Sequence, residues 1–250
     1  MALEINWFET IDSTNNEALR QIKTANDFTT YAANFQTSGR GQKGNSWESA
    51  AGKNLTFSIL IRPKLLKASD QFLVSQIVAL GIVKYLNAFD LSAKIKWPND
   101  IYVEDRKICG ILIEHYLSGA NLSASIIGIG LNLNQKEFAS DAPNPTSMLL
   151  ERGVEFNLER ELERVLSFIN EYYNALNVKS YKSFKESTEL TYRDSLYRYM
   201  EFAYYEEADT NHVIEARITG VDKNACLILE KRDGSKRSYT FKEVKYLLNR

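Results

Sequence analysis

Strand-like segments follow one another along this chain without the regular alternation with helices that a parallel βαβ sheet requires. Apolar and polar residues alternate in Leu55–Ile61, which indicates a strand. Helical spacing of apolar residues predicts helices over 70–87 and 158–176, and a capping-box pattern predicts a short helix over 14–23. Helices and strands in this order favour the α+β class. The further predicted strands are 3–7, 31–35, 94–97, 107–117 and 122–133.

The pattern of predicted secondary structure changes after about Asp194. Short strand-like segments then take over, separated by turn signals such as Asp233 followed by Gly234. We interpret this part as a small β-barrel and predict two domains, residues 1–193 and 194–250. The predicted strands of the second domain are 198–205, 212–221, 225–231 and 235–241.

Composition excludes several classes of function. Lys and Arg number 31 against 32 Asp and Glu, so a net charge of -1 favours neither nucleic acid nor an anionic membrane as a partner. The two cysteines, Cys109 and Cys226, lie in no metal-binding or disulfide pattern. The N-terminal residues resemble no signal peptide, and no apolar run is long enough to span a bilayer. We therefore expect a cytoplasmic protein.

A glycine-rich basic loop spans residues 36–47. Gly39, Gly41 and Gly44 leave backbone N–H groups exposed, and Arg40 and Lys43 add positive charge, so the loop can wrap phosphates. It lacks the Gly-Lys-Ser/Thr ending of a P-loop. A plain surface loop is the alternative, and composition taken alone favours that alternative.

Two charged residues, Asp100 and Lys107, are the next candidate site residues. The segment KWPND, residues 96–100, predicts a tight turn that holds Asp100 at the end of a strand. Lys107 begins a strongly apolar strand, where its ammonium can face an oxyanion or a phosphate. The alternatives are an ordinary turn and a solvated lysine.

Glycines also interrupt the strong strand at residues 127–134. Gly128 and Gly130 share one face with Asn132, so a ligand can approach the backbone there and the Asn132 amide can read a purine edge. The alternative is a bulge or close packing against a helix.

Taken in order along the chain, these motifs resemble the biotin–protein ligase family. The resemblance rests on DSTN at 12–15, GRGQKGNSW at 39–47, KWPND, KICGILIE at 107–114 and GIGLN at 128–132, and it covers roughly residues 6–147. The small C-terminal barrel also resembles the C-terminal domain of that family.

The resemblance implies an architecture, an activity and partners. The fold would be a mixed central sheet flanked by helices, as in class II aminoacyl-tRNA synthetases, plus an SH3-like barrel. The enzyme would use ATP with Mg²⁺ to convert biotin into biotinyl-5′-AMP, and would transfer biotin to a lysine of a biotin carboxyl carrier domain. No prosthetic group is implied, and sheet edges in the family can pair into a homodimer. Because the first motif starts at Asp12, we expect the ligase-only type, which binds no DNA.

The family's functional residues carry over onto this sequence by motif. Lys107 and Arg40 would be catalytic, and Asp100 would order Lys107 or bind the metal. Gln42, Lys43 and Asn45 stand where many relatives have arginines. The residues implied for biotin are Ser13, Thr14, Asn15, Gln36, Gly39, Arg40, Gly41, Gln42, Lys107, Gly110, Gly128 and Gly130. The residues implied for ATP are Arg40, Lys43, Trp47, Asn99, Lys107 and Asn132.

Three other functions remain open at this point. Lipoate or octanoate attachment uses a related fold, although the polar residues Ser13 and Gln36 favour biotin. A non-catalytic regulator that binds the adenylate or DNA is a second alternative. A purely structural domain is the third, but it would leave Arg40, Asp100 and Lys107 without a shared purpose. Cys109 and His115 are interpreted as packing residues.

Overall fold

The computed structural model describes residues 3–42, 45–64, 66–139, 144–178 and 180–248. In the first part of the chain, seven strands form one mixed sheet in the order β1-β2-β3-β7-β6-β5-β4, in which only β1 and β2 are parallel. The strands are β1 (Ile5–Ile11), β2 (Thr29–Gln36), β3 (Leu55–Ile61), β4 (Ala93–Lys96), β5 (Asp100–Val103), β6 (Arg106–Ser118) and β7 (Asn121–Leu131).

Helices cover both faces of this sheet, which confirms the predicted α+β class. The helices are α1 (Thr14–Arg20), α2 (Phe72–Asn87), α3 (Met148–Arg152), α4 (Leu158–Val178) and α5 (Tyr181–Asp194). On one face, α1 packs over a small cluster that includes Ala18, Leu60 and Ile126. On the other face, α2, α4 and α5 enclose the main hydrophobic core.

The central strand β3 shows why the sheet is buried on both faces. All seven of its residues are buried, and β2 and β7 pair with it on either side. A strand with neighbours on both edges and helices on both faces is buried along its whole length, and here that includes Thr56 and Ser58 as well as the five apolar residues. The buried Ser58 hydroxyl bonds Thr14 and Asn15 at the start of α1.

The C-terminal part forms a second, antiparallel sheet of five strands in the order β11-β10-β9-β8-β12. Its edge strands β11 and β12 do not pair with each other among the residues described here, so the predicted small barrel is an open sheet in this structure. The strands are β8 (Phe202–Glu207), β9 (His212–Val221), β10 (Leu227–Lys231), β11 (Lys236–Tyr239) and β12 (Val244–Tyr246).

The two sheets are joined by direct contacts. The backbone N–H of Ile95 donates to the Ser195 carbonyl and that of Tyr197 donates to the Ile95 carbonyl, both at 2.8 Å, so this segment covers the outer edge of β4. The Trp97 indole N–H donates to the carbonyl of Ala225 at 3.0 Å. One hydrophobic core therefore runs through both parts. None of the described helices is long and apolar enough to cross a membrane.

Gly81 permits the close packing of α2 against α4. A Cβ at this position would lie 2.8 Å from Ile169 Cα and 2.9 Å from Ile169 Cγ1. Gly81→Ala would gain about 1 kcal/mol of helix propensity, but overpacking typically costs about 1–3 kcal/mol. Because the contact is with backbone, we expect a net loss of about 1 kcal/mol in the free energy of unfolding, measured by urea denaturation.

Ser75→Ala is the matched control for this variant. Ser75 lies half-buried on the same helix, and its replacement by alanine raises helix propensity without adding atoms to the packed interface. We expect its stability to equal or exceed that of the wild type. A Gly81→Ala protein more stable than the wild type would contradict the packing role of Gly81.

Candidate active site

A cleft of about 500 Å³ opens between the two sheets. Its walls come from the start of α1, the loop after β2, the turn between β4 and β5, the middle of β6 and β7, and the segment around β12. Most of the site residues predicted from sequence line it: Ser13, Thr14, Asn15, Gln36, Arg40, Gly41, Gln42, Trp47, Asn99, Asp100, Lys107, Gly110, Gly128 and Gly130.

One wall of the cleft is a hydrogen-bonded polar network. The backbone N–H and the hydroxyl of Thr14 donate to Gln36 Oε1 at 2.8 and 3.2 Å. The Ser58 hydroxyl lies 2.7 Å from Thr14 Oγ1 and 2.6 Å from Asn15 Oδ1. Thr14, Asn15 and Ser58 are buried, so this network holds their polar groups in fixed positions, and Ser13 is buried beside them. Sequence reasoning missed Ser58, although a serine inside the apolar run of β3 is a detectable signal.

Arg40 is tied to this wall through Glu114. Its guanidinium donates two hydrogen bonds to the Glu114 carboxylate, at 3.2 and 2.7 Å, and Asn15 Nδ2 donates to the same carboxylate at 3.0 Å. This bidentate geometry orients the guanidinium while leaving it 38% exposed toward the cleft. Glu114 belongs to a motif quoted from the sequence, but its partner could not be known before the loop and β6 were placed together.

Lys107 and Asp100 face each other across the strands β5 and β6. Lys107 Nζ lies 2.7 Å from Asp100 Oδ1, and their side chains are 22% and 19% exposed. Asp100 begins β5 directly after the turn that KWPND predicts, and it pairs with Gly110 of β6. The pair therefore holds one ammonium at a fixed place on the cleft wall.

Paired glycines make room for a tryptophan. Gly110 and Gly130 lie opposite each other on β6 and β7. A Cβ on Gly130 would lie 2.1 Å from Trp47 Cε2, and a Cβ on Gly110 would lie 2.9 Å from Trp47 Cζ3. The indole of Trp47 thus rests on bare backbone, and the Lys107 ammonium lies 5.7 Å from its ring centroid.

Gly128 allows the side chain of Asn15 to approach the backbone of β7 closely. A Cβ there would lie 2.2 Å from Asn15 Oδ1 and 2.9 Å from Asn15 Cγ. The absent side chain allows the Asn15 amide to sit against β7 while it bonds Ser58 and Glu114. In this structure the glycines of the GIGLN motif therefore accommodate protein side chains at the cleft.

The loop after β2 folds back on itself where it is described. The Trp47 N–H donates to the Gly39 carbonyl at 3.1 Å, and the Gly41 N–H donates to the Asn45 carbonyl at 3.0 Å. Gly39 lies in this hairpin, where a Cβ would lie 2.8 Å from the Trp47 carbonyl oxygen, and it is not among the residues that line the cleft. Lys43, predicted to contact ATP, and Gly44 lie outside the described residues.

Two predicted asparagines differ in position. Asn99 lines the cleft, and its amide donates to the Ile111 carbonyl at 2.7 Å. Asn132 is buried behind the cleft, where its amide donates to the Thr146 carbonyl at 2.9 Å and its Oδ1 has no partner in the described part of the chain. This placement does not support a direct contact between Asn132 and a purine base, which stays a prediction from the motif.

The C-terminal sheet contributes residues that sequence reasoning missed. Phe241, Lys242, Lys245 and Tyr246 line the cleft, and the Phe241 ring stacks edge-on against Trp97 with centroids 6.5 Å apart. No motif marks these residues, because they reach the cleft only through the packing of two parts of the chain.

The cleft carries an excess of positive charge. Its cations are Arg40, Lys96, Lys107, Lys242 and Lys245, and Asp100 is the single carboxylate among the described lining residues. No group of three or more His, Cys, Asp or Glu side chains that could hold a metal occurs in the described ranges. Mg²⁺ commonly takes one or two carboxylates plus substrate phosphates, so Asp100 fits it only if a phosphate ligand supplies further oxygens.

Cys109 and His115 lie near the cleft in sequence and are occupied in packing. Cys109 is fully buried in the core, and burial raises the pKa of its thiol well above its ordinary value. Burial also lowers the pKa of His115, whose Nδ1 lies 2.9 Å from the Ser125 hydroxyl. Neither residue has the setting of a catalytic nucleophile or base.

Comparison with protein families places the chain beside known ligases. The Biotin/lipoate A/B protein ligase family model matches residues 7–132, about half of the 250-residue chain. This segment contains α1, the loop after β2, the KWPND turn and the glycines of β7.

Curated relatives share this similarity at modest identity. The chain is 28% identical over 235 residues to the bifunctional ligase/repressor BirA of Escherichia coli, covering 88% of this chain and 67% of that protein. It is 36% identical over 127 residues to the biotin–[acetyl-CoA-carboxylase] ligase of Paracoccus denitrificans, covering 49% of this chain and 51% of that protein. The chain thus spans between half and two thirds of the length of these two relatives.

Solved structures agree with the fold. The biotin protein ligase of Aquifex aeolicus, solved in complex with biotin and ATP, superposes with a TM-score of 0.77. The match covers 98% of this chain and 99% of that one at 24% identity, so the two folds correspond over both sheets.

Proposed function

Because this chain belongs to the Biotin/lipoate A/B protein ligase family, we propose that it activates biotin with ATP and transfers it to a lysine of a biotin carboxyl carrier domain. One observation carries the proposal. The cleft joins a wall of fixed polar groups, suited to a neutral ring with hydrogen-bonding edges, to a cluster of cations suited to a carboxylate and a polyphosphate.

The chemistry explains why such a cleft is needed. A carboxylate does not acylate an amine at neutral pH, because oxide is a poor leaving group. In the first step a biotin carboxylate oxygen forms a bond to the α-phosphorus of ATP, and the bond to the bridging oxygen breaks with its electron pair leaving on pyrophosphate. In the second step the acceptor amine attacks the acyl carbon and AMP leaves. Both reactants of the first step are anions, so the site must supply positive charge.

We assign these charges to particular residues. Lys107, fixed by Asp100, would contact the biotin carboxylate and the α-phosphate. Arg40, oriented by Glu114, would close over the same atoms from the loop after β2. A magnesium ion carried by ATP would neutralise phosphate charge, with Asp100 as its protein ligand. No side-chain nucleophile is needed, which agrees with the packing roles of Cys109 and His115.

The polar wall favours biotin over lipoate. The ureido group of biotin offers an oxygen acceptor and two N–H donors, and Ser13, Thr14, Asn15 and Gln36 supply complementary groups on the wall. Lipoate carries an apolar dithiolane ring, which would displace solvent from these groups and leave their remaining hydrogen-bonding capacity unsatisfied. Such unsatisfied groups give discrimination of about 10⁴–10⁵ between ligands in favourable cases.

Isothermal titration with biotin and with lipoate tests this choice. We expect biotin to bind with a measurable heat and lipoate to bind at least about a hundredfold more weakly. This expected ratio is smaller than the largest discrimination known for such sites. Stronger binding of lipoate would replace the proposal with lipoate or octanoate attachment, the alternative within the same family.

The remaining assignments concern domains and partners. Residues 1–193 would bind both small substrates, and residues 194–250 would cover the cleft from the other side. The outer edge of β1 has no paired strand in the described ranges, and it is where a second copy could add in a homodimer. The proposal places the enzyme in the cytoplasm and includes no DNA or membrane partner.

A further inference from the structure

Lys96 occupies an unusual position where the two sheets meet. It ends β4, and its ammonium lies between two phenol rings, 5.0 Å from the centroid of Tyr102 and 4.9 Å from that of Tyr246. Tyr102 belongs to β5 of the first sheet, and Tyr246 belongs to β12 of the second. Lys96 also lines the cleft. Tyr102 and Tyr246, one from each sheet, thus form an aromatic cage around an ammonium at the cleft wall.

Lys96 differs from three of the other cations of the cleft, because it forms no ion pair within the described part of the chain. Arg40 pairs with Glu114, Lys107 with Asp100 and Lys245 with Glu206. Lys242 is exposed to solvent, which screens its charge. Lys96 is half-buried and forms neither a salt bridge nor a hydrogen bond with any residue in the described part of the chain.

A partly buried cation without a counter-ion is costly. Partial burial lowers the pKa of the Lys96 ammonium, and the positive charge of Lys107 lowers it further. The Asp100 carboxylate acts in the opposite direction and raises this pKa. The two rings offset part of the cost, since a cation over an aromatic face gains on the order of 0.5–2 kcal/mol. An anionic ligand in the cleft would offset the rest, and the rings favour the charged form of the lysine that such a ligand requires.

We propose that Lys96 receives the β- and γ-phosphates of ATP and stabilises pyrophosphate as it leaves. This role rests on the proposed function, in which Lys107 and Arg40 are occupied by the biotin carboxylate and the α-phosphate. The triphosphate carries further negative charge beyond the reacting phosphorus. Among the described residues that line the cleft, Lys96 is a half-buried cation without an ion pair, and it is therefore suited to meet that charge. Because Tyr246 forms half of the cage, the C-terminal sheet takes part in activation by holding Lys96 in place.

The proposal separates the two steps of the reaction. Lys96→Met removes the charge but keeps a side chain of similar length. We expect biotin-dependent exchange of radiolabelled pyrophosphate into ATP to fall on the order of 10²-fold, as for the loss of one charge-stabilising contact. Single-turnover transfer from preformed biotinyl-adenylate to the acceptor should stay within about twofold of the wild type, because the adenylate has no β- or γ-phosphate.

Two further variants control for charge and folding. Lys94→Met makes the same change two residues earlier on β4, at an exposed position outside the cleft, and should leave both steps unchanged. Lys96→Arg keeps a cation between the rings and should retain more exchange than Lys96→Met. Thermal unfolding midpoints of all variants should lie within about 2 °C of the wild type, a shift smaller than that caused by 1 kcal/mol.

Each contrary result has a distinct meaning. Normal exchange with slow transfer in Lys96→Met would make Lys96 a base for the acceptor amine and overturn the phosphate role. Equal loss of both steps with a lowered unfolding midpoint, not relieved by Lys96→Arg, would make the role structural and also overturn it. A wild-type protein without biotin-dependent exchange would overturn the proposed function itself, together with this proposal.

Discussion

Replacement of Lys107 by alanine is expected to lower biotin-dependent pyrophosphate release on the order of 10²–10³-fold, the usual effect of removing one preorganised charge from a transition state. The Lys107 ammonium lies beside Gly110 and 5.7 Å from the centroid of the Trp47 ring. Asp100 fixes its ammonium by a 2.7 Å contact. The loss should appear in kcat, because positive charge is most needed where charge develops at the α-phosphorus.

Asp100→Asn is the companion variant. It leaves Lys107 in place but weakens the contact that orients it, so we expect a smaller loss than for Lys107→Ala. Circular dichroism should show both proteins folded. A Lys107→Ala enzyme that releases pyrophosphate at nearly the normal rate would remove Lys107 from the mechanism.

Arg40→Gly should form the adenylate but fail to retain it. The substitution deletes a bidentate contact and leaves the Glu114 carboxylate without its cation, facing an anionic ligand. A charge-assisted hydrogen bond contributes about 1.5–3 kcal/mol, and about 1.4 kcal/mol corresponds to a factor of ten. We therefore expect release of biotinyl-adenylate to accelerate about 10–100-fold, with biotin appearing on lysines of unrelated proteins nearby.

Mass spectrometry of a bystander protein measures that labelling. Arg40→Lys keeps a positive charge and should label the bystander less than Arg40→Gly. Arg20→Ala serves as the matched control, since Arg20 bonds Asp12 and Glu17 on the surface and does not line the cleft. If Arg40→Gly labels only the acceptor, Arg40 does not retain the intermediate.

The sequence predicts those strands and helices in which apolar residues recur at a regular spacing. The strands β3, β6 and β7 and the helices α2 and α4 were predicted from apolar spacing, within a few residues at each end. Their side chains meet one continuous core, so local pattern and tertiary environment agree. The turn at KWPND was likewise predicted, because proline and the Asn-Asp pair restrict the backbone directly.

Other elements depend on contacts that no local pattern encodes. The helix α5 was missed because only Phe184, Thr188 and Tyr192 are buried on it, and its exposed side is rich in Ser, Thr and charged residues. The strands β5 and β12 have four and three residues, too short for a periodic signal. Each is stabilised by pairing with a longer neighbour, β6 or β8.

The site residues also divide into those that local motifs predict and those that depend on tertiary contacts. Ordered motifs placed Arg40, Asp100 and Lys107 in one cleft, since each lies at a strand end or in a loop with restricted backbone. The sequence could not predict the contacts of Ser58 and Glu114, nor the position of Tyr246 at the cleft. Ser58 and Glu114 act as partners of motif residues, and Tyr246 reaches the cleft from the other sheet.

Biotin-dependent pyrophosphate release is the measurement that tests the central claim most directly. The purified protein would be mixed with ATP and Mg²⁺, with biotin, lipoate or neither, and without an acceptor. We predict a burst of pyrophosphate stoichiometric with the enzyme when biotin is present, followed by slow release, because the adenylate should stay bound in the absence of an acceptor. Pyrophosphate that appears with lipoate but not with biotin, or with neither acid, would contradict the proposed function.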